Sequence, residues 1–72
     1  MEQELRKRIA LNIKIERLKK NFTQEKLAEL TEISVKHITK IENAKVTPSI
    51  LLIYKIAKSL GVTIDTLTDR EV

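Results

Sequence analysis

The 72-residue chain has no cysteine and no tryptophan, and only one glycine, one proline, one phenylalanine and one tyrosine. Without cysteine, neither a disulfide nor a cysteine-ligated metal can staple a domain this small. So little glycine and proline excludes a turn-rich β architecture, which needs a breaker between successive strands. The longest apolar run, "ILLIY" at residues 50–54, is far too short to span a bilayer, and there is no secretory apolar region. The expected compartment is the cytoplasm. The single histidine, His37, has neither a second histidine nor a carboxylate cluster beside it, so metal binding is not expected. No nucleophile–base pairing with it is evident, no glycine loop cradles a phosphate, and a chain this short has little room for a substrate cavity. Enzyme activity, cofactors and a small-molecule substrate are therefore not expected.

Aliphatic side chains make up most of the 42% hydrophobic content, which suits a helical bundle near the lower size limit for a single apolar core. The net charge is +4, and its placement is informative. Residues 1–20 hold seven basic and three acidic side chains, whereas the rest of the chain is balanced, so the excess lies on the first helix. Positive charge of this size admits nucleic acid, an acidic lipid surface or an acidic protein as partner, and decides among none of them.

Five helices are predicted. Residues 3–20 carry Leu5, Ile9, Ile13 and Leu18 near helical spacing without a breaker. Thr23 is the expected N-cap of a second helix over 24–30 that buries Leu27, Ala28 and Leu30. Ser34 is the expected cap of a third helix ending near Asn43. Pro48 or Ser49 starts a fourth, which stops at Gly61, and Thr63 caps a short fifth containing Ile64 and Leu67. The last three or four residues read as a frayed tail.

Only about three residues, Thr31 to Ile33, separate helices two and three, and a turn that short forces the steep crossing of a helix-turn-helix. Ala28 permits close approach, Ile33 plugs the turn, and Ile38 and Ile41 seat the third helix. Glu32 falls at the turn position that favours a left-handed backbone, at a cost of about 1 kcal/mol for a residue other than glycine. Projected at about 100° per residue, Lys36, Thr39, Lys40 and Asn43 lie opposite Ile38 and Ile41, with Val35 and His37 on the borders. Such a face offers donors to phosphates and base edges: lysine reaches guanine O6 or N7, and a valine or threonine methyl touches thymine. The same residues would also serve as an ordinary solvated face. Glu42 falls beside the apolar stripe, where an acid must find a cation or remain protonated.

"TQEKLAELTEISVKHITKIENAK" resembles the helix-turn-helix of the phage repressor and Cro class of transcription regulators, in its "TQ..LA" opening, its "S...I..IE" second helix and its "N.K" exit. The likeness runs upstream through "IKIERLKKNF" and downstream through "PS......IAKSLGVTIDTL", over residues 9–68 of one domain spanning 1–72. It implies a compact, all-α, five-helix lambda-repressor-like bundle that binds a double-stranded DNA operator, with the third helix in the major groove. It also implies that Arg17 pairs with Glu42 as a structural strut beneath the DNA surface. Gln24 matches the family glutamine that grips a phosphate, beside the capping Thr23. Asn43 and Lys45 match the exit segment that contacts the DNA backbone. Val35, Lys36 and Lys40 match positions facing base edges, with Thr39 beside them. His37 fits a phosphate contact or a plain surface residue.

Three positions depart from the family pattern: Asn21 and Ala44 stand where many relatives have glycine, and Thr66 replaces a larger apolar residue of the last-helix dimer contact. Leu51 and Tyr54 project from the fourth helix and are either a dimer contact or isolated exposed residues. The implied function is a homodimeric repressor or controller protein on an inverted repeat. The sequence does not separate a phage repressor from a restriction–modification controller or an antitoxin. An alternative is a helical protein-interaction module with little DNA reading. A membrane-surface domain is disfavoured by the three acids and the lack of a bulky aromatic on helix one.

Overall fold

A computed structural model of the chain describes residues 1–70. Five helices follow one another: α1 (Glu2–Lys19), α2 (Gln24–Thr31), α3 (Val35–Glu42), α4 (Ile50–Leu60) and α5 (Ile64–Thr68). No strand is present among the described residues, and none of the helices is long and apolar enough to cross a membrane.

Short-range chemistry sets the helix starts. The hydroxyls of Thr23, Ser34, Ser49 and Thr63 accept from the N–H groups of Lys26, His37, Leu52 and Thr66 at 3.0, 3.1, 3.2 and 3.1 Å. Each such cap contributes about 1 kcal/mol relative to alanine. Ser49, rather than Pro48, is therefore the residue that opens α4.

One motif repeats at the helix ends. Asn21, Glu32, Ala44 and Gly61 adopt φ of 59°, 59°, 57° and 72°. The following residues, Phe22, Ile33, Lys45 and Val62, donate their N–H back to the carbonyls of Arg17, Ala28, Lys40 and Ala57. These six-to-one bonds satisfy carbonyls that a helix end otherwise leaves open. Only Gly61 adopts its conformation without a Cβ penalty; Glu32 and Ala44 pay it in full, and asparagine tolerates it better.

The core consists of Ile9, Ile13, Leu27, Ala28, Ile33, Ile38, Ile41, Ile53, Ile56, Ala57, Leu60 and Leu67, with Phe22, Val46, Leu52, Val62 and Ile64 packed against it. Leu30, expected inside, faces outward instead, and so do Leu5 and Leu18 of the helical pattern in α1. In α2 the helical repeat brings Thr31, not Leu30, under the turn, and its hydroxyl donates to the Leu27 carbonyl at 2.7 Å. On α1, Ile9 and Ile13 are continued inward by Asn12, Glu16 and Arg17. A stripe drawn through apolar residues alone therefore turns away from the true inner face after Ile13.

The expected frayed tail is corrected for part of its length; residues 71 and 72 lie outside the described residues. Asp69 N–H donates to the Asp65 carbonyl at 2.8 Å. The Arg70 guanidinium donates through Nε and Nη2 to Asn12 Oδ1 at 3.1 and 3.0 Å, and through Nη1 to Glu16 Oε2 at 2.7 Å. Asn12 Nδ2 answers by donating to the carbonyls of Leu67 and Arg70. This network fastens the end of α5 to the middle of α1. Arg70 holds the Glu16 carboxyl below the usual range, burial opposes that shift, and Lys19 at 3.3 Å adds to it.

Candidate nucleic-acid interface

Helices α2 and α3 are joined by Glu32, Ile33 and Ser34. Glu32 reverses the backbone in the left-handed region, Ile33 turns inward, and Ser34 caps α3. Three consecutive residues thus end one helix, fill the corner and start the next. Ile38 and Ile41, each 1% exposed, anchor α3 to the core.

Beneath α3 lies a buried ion pair. Arg17 of α1 donates from Nε to Glu42 Oε2 at 2.7 Å and from Nη2 to Glu42 Oε1 at 3.1 Å. Its third nitrogen, Nη1, donates to the Phe22 carbonyl at 2.8 Å, just beyond the end of α1. The Glu42 side chain is 2% exposed. A forked, bidentate contact fixes direction as well as distance, so it sets how the last turn of α3 sits against α1.

Gln24, the first residue of α2, joins this arrangement. Its Nε2 donates to Glu42 Oε1 at 3.1 Å, and its Oε1 accepts from the Thr39 hydroxyl at 2.8 Å. The start of α2 is thereby held beside the later turns of α3. Projecting α3 as an isolated cylinder does not reveal this contact. Thr39 has the outward periodicity of Lys36 and Lys40, yet it is half-buried with its hydroxyl proton committed to Gln24.

The remaining surface is open. Val35, Lys36, Lys40, Asn43 and Lys45 are exposed and His37 is half-buried. No acidic side chain lies on α3 other than the buried Glu42. The positive charges of Lys36 and Lys40 are therefore not offset within α3, and Lys45 adds a third just beyond its end. Thr23 is exposed at the start of α2, where the first N–H groups of a helix have no intrahelical acceptor. Phosphate-sized anions suit such a terminus. Among the described residues no three His, Cys, Asp or Glu side chains gather as a metal site requires.

Leu51 and Tyr54 lie on the outer side of α4, at 59% and 49% exposure, and the Lys58 ammonium stands 5.7 Å from the centre of the Tyr54 ring. Exposed Leu30 borders the same side of the molecule, lining a shallow cleft with Tyr54 and Ser59. Thr66 is half-buried on α5, its hydroxyl 2.9 Å from that of the capping Thr63.

Comparison with known proteins agrees with this geometry. Residues 13–67 match the model of a helix-turn-helix family. Over 49 residues the chain is 41% identical to "Uncharacterized HTH-type transcriptional regulator YqaF" of Bacillus subtilis (strain 168), covering 68% of this chain and 64% of that protein. The chain thus spans just under two thirds of that relative's length. Among solved structures, the crystal structure of the hypothetical transcription factor NHTF from Neisseria superposes with a TM-score of 0.87. The two are 29% identical, and the match covers 94% of this chain and 78% of that one. With its family match running from the middle of α1 to α5, the chain belongs to the Cro/C1-type helix-turn-helix family.

Proposed function

We propose that the protein is a DNA-binding transcriptional regulator that places α3 in the major groove of double-stranded DNA. One observation carries the reading: a short helix, clamped from below by Arg17 and seated by Ile38 and Ile41, turns Val35, Lys36, Lys40 and Asn43 to solvent. A helix held this firmly, with a basic free face, is what base reading demands, since contacts to base edges depend on fixed orientation. The relative named as a transcriptional regulator supports the same reading. In it, Val35, Lys36 and Lys40 face base edges, with the Thr39 methyl beside them. Thr23, Gln24, His37, Asn43 and Lys45 contact the sugar–phosphate backbone and set register.

The regulator acts as a homodimer on an inverted repeat, with half-sites about one turn, ~34 Å, apart. Leu51 and Tyr54 on α4, with Thr66 on α5, are the candidate contacts; the two exposed apolar side chains of α4, with Leu30 sharing a cleft with Tyr54, provide a surface for a second copy. Repression of its own promoter, or control of a neighbouring gene, fits a protein of this kind.

Titration onto the duplex upstream of its own gene, at about 150 mM salt with unrelated competitor DNA, tests the reading. Competitor-resistant binding by the wild type, lost in Lys36→Ala/Lys40→Ala, is the expected result. Weak binding that both proteins lose alike as salt rises would reduce the interaction to charge alone. In that event a protein-interaction role through α4 takes precedence. Tyr54→Glu, followed by sedimentation equilibrium, tests the dimer: a wild-type monomer would remove it.

A further inference from the structure

The chain of contacts Thr39, Gln24, Glu42 and Arg17 determines which way the Gln24 amide faces. A carboxylate only accepts hydrogen bonds, so the Gln24 atom 3.1 Å from Glu42 Oε1 must be the NH₂ group. The opposite atom is then the carbonyl oxygen, and the Thr39 hydroxyl at 2.8 Å must be its donor. A flipped amide would set an oxygen against the Glu42 carboxylate. Arg17 cannot relieve that clash, because its guanidinium is already spent on Glu42 and the Phe22 carbonyl.

An NH₂ group has two hydrogens, and only one reaches Glu42. The second has no acceptor among the described residues, and Gln24 is half-buried at the start of α2 rather than enclosed. We infer that Thr39 is a positioning residue: by holding the Gln24 carbonyl from one side while Glu42 holds its amino group from the other, it presents the free Gln24 N–H to a DNA phosphate. This rests on the DNA-binding reading and assigns Thr39 a part distinct from base recognition. Its hydroxyl proton is committed inside the protein, so the hydroxyl sets affinity and docking register and carries no base preference.

Two measurements test the assignment, one of them without DNA. In ¹⁵N spectra of the free protein, Thr39→Val moves the Gln24 side-chain amide resonances, and Thr39→Ser, which keeps the hydroxyl, leaves them near their wild-type positions. Unmoved resonances in Thr39→Val overturn the contact itself. For DNA, duplexes are selected from a randomised library by the wild type and by Thr39→Val. The same preferred sequence emerges from both, bound roughly fivefold more weakly by Thr39→Val, the loss expected for one hydrogen bond. In a Gln24→Ala background, Thr39→Val then has no further effect. A change of preferred base at one operator position would make Thr39 a base reader and overturn the inference. So would an equal loss in the Gln24→Ala background. If the wild type selects no sequence while the resonances shift as stated, the DNA-binding reading fails and the Thr39–Gln24 contact stands as a purely structural one.

Discussion

Arg17→Met leaves the Glu42 carboxylate almost without water and with one remaining donor, Gln24 Nε2 at 3.1 Å. A carboxylate has room for about four donors, and stripping the partner from a buried ion costs about 3–5 kcal/mol. The Phe22 carbonyl also loses its Nη1 donor, for about 1 kcal/mol more. A domain of this size has a total stability of only ~4–10 kcal/mol. The single variant is therefore expected to be largely unfolded or very close to it at 25 °C. Arg17→Met/Glu42→Leu removes both charges and refills the space with apolar atoms, a replacement that is often neutral or stabilising. The double variant should return to within about 2 kcal/mol of wild type. Urea denaturation followed by helical circular dichroism reads these differences, provided the slope against urea stays constant. The reasoning fails if Arg17→Met costs under about 1 kcal/mol, or if the double variant is no more stable than the two single losses added together.

At the left-handed turns, Ala44→Gly removes a Cβ penalty of about 1–2 kcal/mol and returns part of it as unfolded-chain entropy, for a net gain of roughly 0.5–1 kcal/mol. Thermal unfolding should show a rise of a few degrees, with Glu32→Gly alike and Asn21→Gly smaller; a fall would contradict the turn assignment. Because the Glu16 carboxyl is held below its ordinary value of 4.5 in the folded state, its contribution is complete above that value and disappears as pH falls through the folded value. The stability gap between wild type and Glu16→Gln, from denaturant curves, should hold steady above about pH 5.5 and narrow on acidification; a gap independent of pH would refute this. Arg70→Ala should shrink the gap above about pH 5.5, where the carboxylate is ionised. Ile56→Ala, at a fully buried site, should cost about 2–5 kcal/mol by calorimetry.

Local chemistry in this chain is legible because its causes are near in sequence. Thr23, Ser34, Ser49 and Thr63 each cap an N–H three residues on, and Glu32 is only four residues from Ala28, whose carbonyl its backbone caps. Contacts decided by distant partners are not legible in the same way. Arg70 reads as tail because Asn12, its acceptor, lies 58 residues away. Thr39 reads as outward because the projection of α3 omits the start of α2, 15 residues earlier. In each case periodicity located the helix and left open which neighbour occupies its flank.

The inner face of α1 turns this into an argument about function. Asn12, Glu16 and Arg17 occupy positions that leucines could fill, and each reaches another part of the chain: the end of α5, Arg70, and α3. An apolar residue in such a place would contribute comparable stability by burial but would leave its neighbour free to slide or rotate, since the hydrophobic effect has no direction. A bidentate Arg17–Glu42 contact tolerates little rotation of α3. That distinction gives the Arg17→Met/Glu42→Leu variant a second use. If directional contact is what aligns α3, the variant folds with near-wild-type stability yet selects its DNA sequence with less discrimination, as competition between selected and unrelated duplexes would measure. Undiminished discrimination would mean that Ile38 and Ile41 alone fix the helix, and that the pair adds nothing to the reading.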